Sequence, residues 1–359
     1  MIVLLGCGGE TSRRIIGHAR HQGIQLRLAA RDPGKARIRL GELAEGWDIV
    51  QMTADDGGSV SAALEPGDVL LNGTTPSGAL GHSIARAAIA SGAHYTSFTG
   101  EALESRRLEQ ELDESARQRG VTLCPGTGCF PVLGDIAMRL ALRELPDACD
   151  GYIGYAPGGF SLSFGSLFSE LSIMQGPALI VKNGELVEEN VTGEILEIAG
   201  KTLVFRPLMD ALMVSTYSTL RNFRSGFLVS SDQAAAVSQQ FIGMAQAANS
   251  ASGRERYLNE IESKRGQHVE ENVATDSGTV TAILLRGADV AEVTMTAQPI
   301  YEQAARAALL ISRELDELKR RPAGFQAASS VVRSIEYALE KLGVRLISPA
   351  VIATAFPHR

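Results

Sequence analysis

One short run limits what this chain can become: Ile2-Val3-Leu4-Leu5 passes directly into Gly6-Cys7-Gly8-Gly9-Glu10-Thr11-Ser12-Arg13. Four consecutive apolar residues ending in glycines read as a strand buried on both faces. Residues 11–22 then place Ile15, Ile16 and Ala19 at helical spacing, and Gly23 ends the pattern. A glycine turn between a buried strand and a helix is the setting in which a pyrophosphate can be received. The tight turn needs glycine, and the helix N-terminus is reachable only where no side chain covers the backbone. Two registers fit, Gly6-x-Gly8-x-x-Thr11 and Gly6-x-x-Gly9-x-x-Ser12, each with a small residue in the third place. Gly6, Gly8, Gly9, Glu10, Thr11, Ser12 and Arg13 are therefore the candidate phosphate-binding residues. A plain turn with no ligand is the competing reading.

The first 125 residues continue as alternating strand and helix patterns. Strands are expected at 25–30, 47–52, 68–72 and 121–124, and helices near 59–64, 80–91 and 101–119. That alternation predicts an α/β fold with a Rossmann-type doubly wound parallel sheet. From about residue 126 the texture changes. Asn183-Gly184 sits between apolar runs over 181–187, a strong hairpin signal. Two further hairpins are expected, with arms 194–198 and 202–205 around Ala199-Gly200 and arms 279–285 and 290–296 around Gly287-Ala288-Asp289. Hairpins in series predict a second α+β domain over 126–301 with a mixed or antiparallel sheet. Helical patterns recur near 233–248, 302–320 and 329–342.

At 359 residues the chain is long enough for about two domains. Its formal net charge of −7 gives no clustered basic excess for nucleic acid or an anionic membrane. The cysteines, Cys7, Cys124, Cys129 and Cys149, follow neither a disulfide nor a zinc spacing, and no metal site is expected. The apolar start is too short for a signal peptide, and no later run suits a membrane span. A cytoplasmic location is the default expectation. The partner expected is a small-molecule substrate, and exposed sheet edges make a homodimer a further expectation.

The second strand ends Ala29-Ala30-Arg31-Asp32-Pro33-Gly34-Lys35. Where an NAD site usually has an acid to hold the ribose 2′-hydroxyl, this chain has Arg31, with Lys35 one helical turn on. A guanidinium pairs with a 2′-phosphate and stacks on adenine, so NADP(H) is the expected cofactor. Asp32 keeps NAD open, since an acid there could bond the hydroxyl. The fourth strand ends in Asn72-Gly73-Thr74-Thr75-Pro76, and Thr74, Thr75 and Pro76 fit against a ribose or nicotinamide.

Together, Gly6–Arg13, residues 29–33, residues 68–72 with Pro76, and His94-Tyr-Thr-Ser-Phe-Thr-Gly-Glu101 resemble the saccharopine dehydrogenase-like oxidoreductases. That family carries a Gly-x-x-Gly-x-x-Gly turn, an Arg-Asp-Pro after the second strand, a Gly-Pro loop after the fourth and a Tyr-x-Asp-x-x-Gly-Glu segment. Gly128–Asp135 and Ser163-Phe-Gly-Ser-Leu-Phe-Ser169 resemble its later segments more weakly. Ser12, Thr75 and Ser97 depart from the family residues at their places, as do Leu133 and Ser166. The resemblance implies hydride transfer from NADPH to an imine, ketone or enoyl group held between two domains. It also implies that roughly 302–346 returns to complete the first domain.

Hydride transfer to an imine or ketone needs a proton donor within about 3 Å of the heteroatom. Tyr95 and Asp135 are the catalytic candidates, both on segments expected near the carboxyl edge of the sheet. A strand tyrosine often packs, and Asp135 could simply cap the helix that follows it. Tyr155 and Tyr217 are further donors without a spacing to favour them. The rival reading is a regulator that binds NADP(H) without turnover.

Overall fold

The computed structural model describes residues 1–74, 78–159, 161–318 and 322–354. Thr75 and Pro76, expected in the ligand loop, lie outside them.

The N-terminal half alternates as its periodicity requires. In chain order it runs β1 (Ile2–Leu5), α1 (Glu10–Gln22), β2 (Leu26–Ala30), α2 (Pro33–Leu40), β3 (Ile49–Gln51) and α3 (Gly57–Ala62). It continues through β4 (Val69–Asn72), α4 (Gly78–Ala90), β5 (His94–Ser97), α5 (Ala102–Arg119) and β6 (Thr122–Pro125). Every residue of β1 and β4 is buried, which is why these strands are almost wholly apolar. β5 is equally buried yet reads His-Tyr-Thr-Ser. Two of its polar side chains are satisfied inside: His94 Nδ1 accepts the Thr122 amide at 2.9 Å, and the Thr96 and Ser312 hydroxyls meet at 3.3 Å.

The next segment begins with α6 (Cys129–Glu144), β7 (Asp150–Ala156), α7 (Phe164–Ile173), β8 (Ala178–Lys182), β9 (Glu185–Glu189), β10 (Ile195–Ile198) and β11 (Lys201–Phe205). After these come α8 (Asp210–Ser215), β12 (Asn222–Val229), α9 (Ser231–Asn249), α10 (Ala251–Ser263), a short α11 (Val273–Asp276), β13 (Gly278–Arg286) and β14 (Asp289–Ala297). All three expected hairpins form: β8–β9, β10–β11 and β13–β14 pair antiparallel. At the first two turns Asn183 and Gly184, and Ala199 and Gly200, all have positive φ, as a two-residue turn matched to strand twist demands. The nine-stranded sheet runs β10-β11-β12-β7-β13-β14 along its main path, with β8 and β9 joined to it through β12. β7 and β12 pair in parallel, so the sheet is mixed.

The chain then forms α12 (Ile300–Glu317), β15 (Gly324–Phe325), α13 (Ile335–Leu342) and β16 (Leu346–Thr354). β15 lies beside β6 and completes a seven-stranded parallel sheet ordered β15-β6-β5-β4-β1-β2-β3, while β16 joins the mixed sheet beside β14. Two compact units result: Met1–Cys129 with Tyr301–Leu342, and Phe130–Ile300 with Gly343–Arg359. The helix expected over 329–342 is broken. Buried Glu314 takes the Arg333 amide and guanidinium, so residues 328–330 form only a 3-10 turn, and α13 starts afresh with the Ser334 hydroxyl accepting the Tyr337 amide at 3.1 Å.

Candidate functional site

Backbone contacts shape the turn after β1. Gly6 has φ +78°, and its amide donates to the Ala29 carbonyl at 3.1 Å. A Cβ on Gly6 would fall 2.8 Å from the Gly73 backbone, so the turns after β1 and β4 touch where no side chain fits. Gly73 is boxed in likewise: a Cβ there would meet the Phe98 ring at 2.7 Å and Ser12 Oγ at 2.8 Å. Ser12, in place of the third glycine, is buried under the turn.

Gly9 differs. It caps α1 without a side-chain hydrogen bond, and a Cβ there would meet the protein at no less than 3.5 Å. The first intrahelical bond runs from the Arg13 amide to the Gly9 carbonyl at 3.0 Å, which leaves the preceding amides of the first turn without intrahelical acceptors. Thr11 and Glu10 stand half-buried on this turn, and Glu10 pairs with Arg14 at 3.2 Å. A bare helix start behind glycines suits the pyrophosphate of a dinucleotide.

At the end of β2, Asp32 is turned into the helix start. It caps α2 by accepting the Lys35 amide at 3.0 Å, and the Lys35 ammonium lies 3.5 Å from the same carboxylate. The Lys35 amide holds that carboxyl below the usual range, with the Lys35 charge acting in the same direction. Arg31 is exposed, with no hydrogen-bond or ion-pair partner among the described residues. Arg13, read from the sequence as a phosphate contact, donates to the Arg39 carbonyl at 2.7 Å.

Beyond β4, the Asn72 side chain organises the loop. Its Oδ1 accepts from the Thr74 amide at 3.0 Å and the Thr74 hydroxyl at 2.7 Å, while its amide donates to Tyr95 Oη at 3.0 Å. Tyr95 is fully buried in β5, and burial pushes its phenol up. This geometry makes Tyr95 a brace between β4 and β5.

The second unit holds the stronger acid–base group. Asp135 lies well inside α6, so it does not cap a helix; it is buried against Tyr217. Burial and the Asp135 charge drive the Tyr217 phenol well up, and the Arg139 guanidinium stacks 3.5 Å from the Tyr217 ring centroid. Beside them, Tyr155 Oη lies 2.7 Å from the Phe130 carbonyl and 2.6 Å from Asp210 Oδ1. A phenol has one hydrogen, and a carbonyl can only accept. Both contacts are satisfied when Asp210 is protonated and donates to Tyr155, which donates to Phe130. Burial pushes the Asp210 carboxyl up to about 6, against the pull of its bonds with Tyr155 and Ser225. Gly134 makes the cluster fit, since a Cβ there would meet Tyr155 Oη at 2.1 Å.

Sequence reading named Tyr155 and Tyr217 without ranking them and missed Asp210, because α8 is only six residues long and gives no periodic signal. An open groove of about 740 Å³ in this unit lies at the ends of β7, β11 and β12, and neither a carboxylate nor a tyrosine lines it. Among the described residues no group of three or more His, Cys, Asp or Glu side chains could hold a metal, and no helix is long and apolar enough to cross a membrane.

Residues 2–124 match the family described as the saccharopine dehydrogenase NADP binding domain. In fold, the chain is similar to the apo histidine-tagged saccharopine dehydrogenase (L-Glu forming) of Saccharomyces cerevisiae. That match has a TM-score of 0.59 and 14% identity, and covers 98% of this chain and 99% of the other. It is also similar to the homospermidine synthase of Legionella pneumophila, solved in complex with NAD, with a TM-score of 0.57, 10% identity and coverage of 95% and 88%. A comparison of the sequence with curated proteins finds no match.

Proposed function

We propose, from the premise that this is a saccharopine dehydrogenase-like protein whose residues 2–124 form that family's NADP-binding domain, that the chain is an NADPH-dependent oxidoreductase acting on a small imine, ketone or enoyl compound. The observation that carries the reading is the uncapped start of α1 behind Gly9, where protein atoms leave room and the first amides lack intrahelical acceptors. Gly6, Gly8, Gly9, Glu10, Thr11 and Ser12 form the phosphate turn, Arg31 takes the 2′-phosphate, and Thr74 contacts the ribose or nicotinamide side. Bound NADPH supplies the hydride.

The chain's own residues supply the rest. Asp32 stays with the α2 amides, which removes the acid that would favour a bare 2′-hydroxyl. Asn72 fixes the Thr74 loop by two hydrogen bonds. For the proton, two buried carboxyls with different environments suit an acid and its partner: Asp210, pushed up to about 6 beside Tyr155, keeps its proton only below that pH, and Asp135 stands against Tyr217. Tyr95, bonded to Asn72, orients that loop.

A steady-state screen of NADPH oxidation with enones, ketones and mixtures of keto acid and amine tests the reading. Turnover that falls at least tenfold in Asp135→Asn with NADPH affinity unchanged supports it. Tight NADPH binding with no turnover across the screen would make the protein a cofactor-binding regulator instead.

A further inference from the structure

The cations around the end of β2 sort themselves by what they already hold. Arg37 donates to the Ala44 and Trp47 carbonyls at 3.4 and 3.3 Å, and Arg20 reaches the carbonyls of Glu42, Leu43 and Glu45. Lys35 sits on Asp32, and Arg13 on the Arg39 carbonyl. Two guanidinium groups remain without a hydrogen-bond or ion-pair partner among the described residues: Arg31 and Arg39.

Arg39 occupies a particular place. Its Cδ lies 3.3 Å, and its Nε 3.8 Å, from the point where a Cβ on Gly8 would project. A side chain from the last turn of α2 therefore lies over the middle of the glycine turn. Arg13 explains how it is held there. Its bond to the Arg39 carbonyl, at 2.7 Å, ties the end of α2 to the first turns of α1.

We infer that Arg39 is a second specificity-determining cation, which together with Arg31 clamps the 2′-phosphate of the cofactor's adenosine, and that Arg13 positions it. The inference rests on the NADP reading above. A doubly charged phosphate at the rim of the glycine turn meets one fork from β2 and one from α2, and planar guanidinium groups suit its oxygens. A bare 2′-hydroxyl gives neither fork a charged partner. Sequence reading missed Arg39 because it falls eight residues beyond Arg31, near the far end of a helix rather than in the loop.

The test titrates wild type, Arg39→Ala and Arg39→Lys with NADPH, NADH and adenosine 2′,5′-bisphosphate. Arg39 is exposed, and coincident thermal melts check that the variants stay folded. Arg39→Ala should lose about ten- to a hundredfold in affinity for NADPH and for the bisphosphate, with NADH unchanged. Arg39→Lys should recover part of that loss. The wild-type NADPH affinity should fall more steeply with salt than that of Arg39→Ala. If wild type prefers NADPH and Arg39→Ala binds it equally well, the inference is overturned while the NADP reading stands. Equal loss of NADPH and NADH would also overturn it, assigning Arg39 to a part shared by both cofactors. Failure of wild type to bind NADPH would remove the underlying reading itself.

Discussion

Replacing Asp210 with asparagine should make the protein more stable at neutral pH. The carboxyl is buried beside Tyr155, and burial lifts it from 3.8 to about 6. A group raised in the folded state contributes stability that is complete below its unfolded value and lost as pH rises through its folded value. The displacement from 3.8 to about 6 corresponds to roughly 3 kcal/mol, about a hundredfold in the folding constant, lost between about pH 4 and pH 6. Asparagine keeps the shape and can donate to Tyr155 Oη as the protonated acid does, but it does not titrate. Arg139, Asp135, Tyr217 and Ser225 remain in place around it. Urea unfolding of both proteins from pH 4.5 to pH 8 measures the difference. Asp210→Asn should gain on wild type as pH rises, by up to about 3 kcal/mol at pH 7, with the gap closing towards pH 4. A variant destabilised by the same amount at every pH would mean that Asp210 is ionised and firmly held, and the proton count at Tyr155 would fail.

Gly9→Val should abolish NADPH binding with the thermal midpoint little changed, because protein atoms leave space at that Cβ; an unchanged dissociation constant would move the phosphate turn elsewhere. Gly73→Ala should do the reverse of a clean binding variant, costing on the order of 1–3 kcal/mol of stability, since its Cβ would meet Phe98 and Ser12 Oγ below 3 Å; a wild-type unfolding midpoint would refute that packing. Glu302, held down to about 2 by His18 and Arg306, contributes stability above the ordinary glutamate value that is lost as pH falls towards 2. Glu302→Gln should therefore be less stable than wild type at pH 7 and level with it near pH 2, as read by urea midpoints.

The parallel sheet was legible because β1 and β4 are buried on both faces and so carry continuous apolar runs. The hairpins were legible because Asn183-Gly184 and Ala199-Gly200 must take positive φ. β5 is harder to read: His94 and Thr96 are polar residues buried by hydrogen bonds to distant partners, which no local pattern encodes. The glycine turn could be placed from residue order alone, yet the work done by each cation could not. Position in the chain marked Arg31, but Arg13, Arg37 and Lys35 look equivalent in sequence to Arg39, and only their carbonyl and carboxylate partners separate them. Asp210 escaped for a related reason. Its chemistry depends on Tyr155, 55 positions away, and on the room left by Gly134.

NADPH binding by the first unit, through the α1 start with Arg31 on its 2′-phosphate, is the proposal on which the rest depends. Equilibrium titration of wild type and Arg31→Ala with NADPH and NADH tests it most directly. Wild type should bind NADPH at least tenfold more tightly than NADH, and Arg31→Ala should weaken NADPH by about ten- to a hundredfold while leaving NADH nearly unchanged. A wild type that prefers NADH, or a variant that loses both cofactors equally, would contradict it.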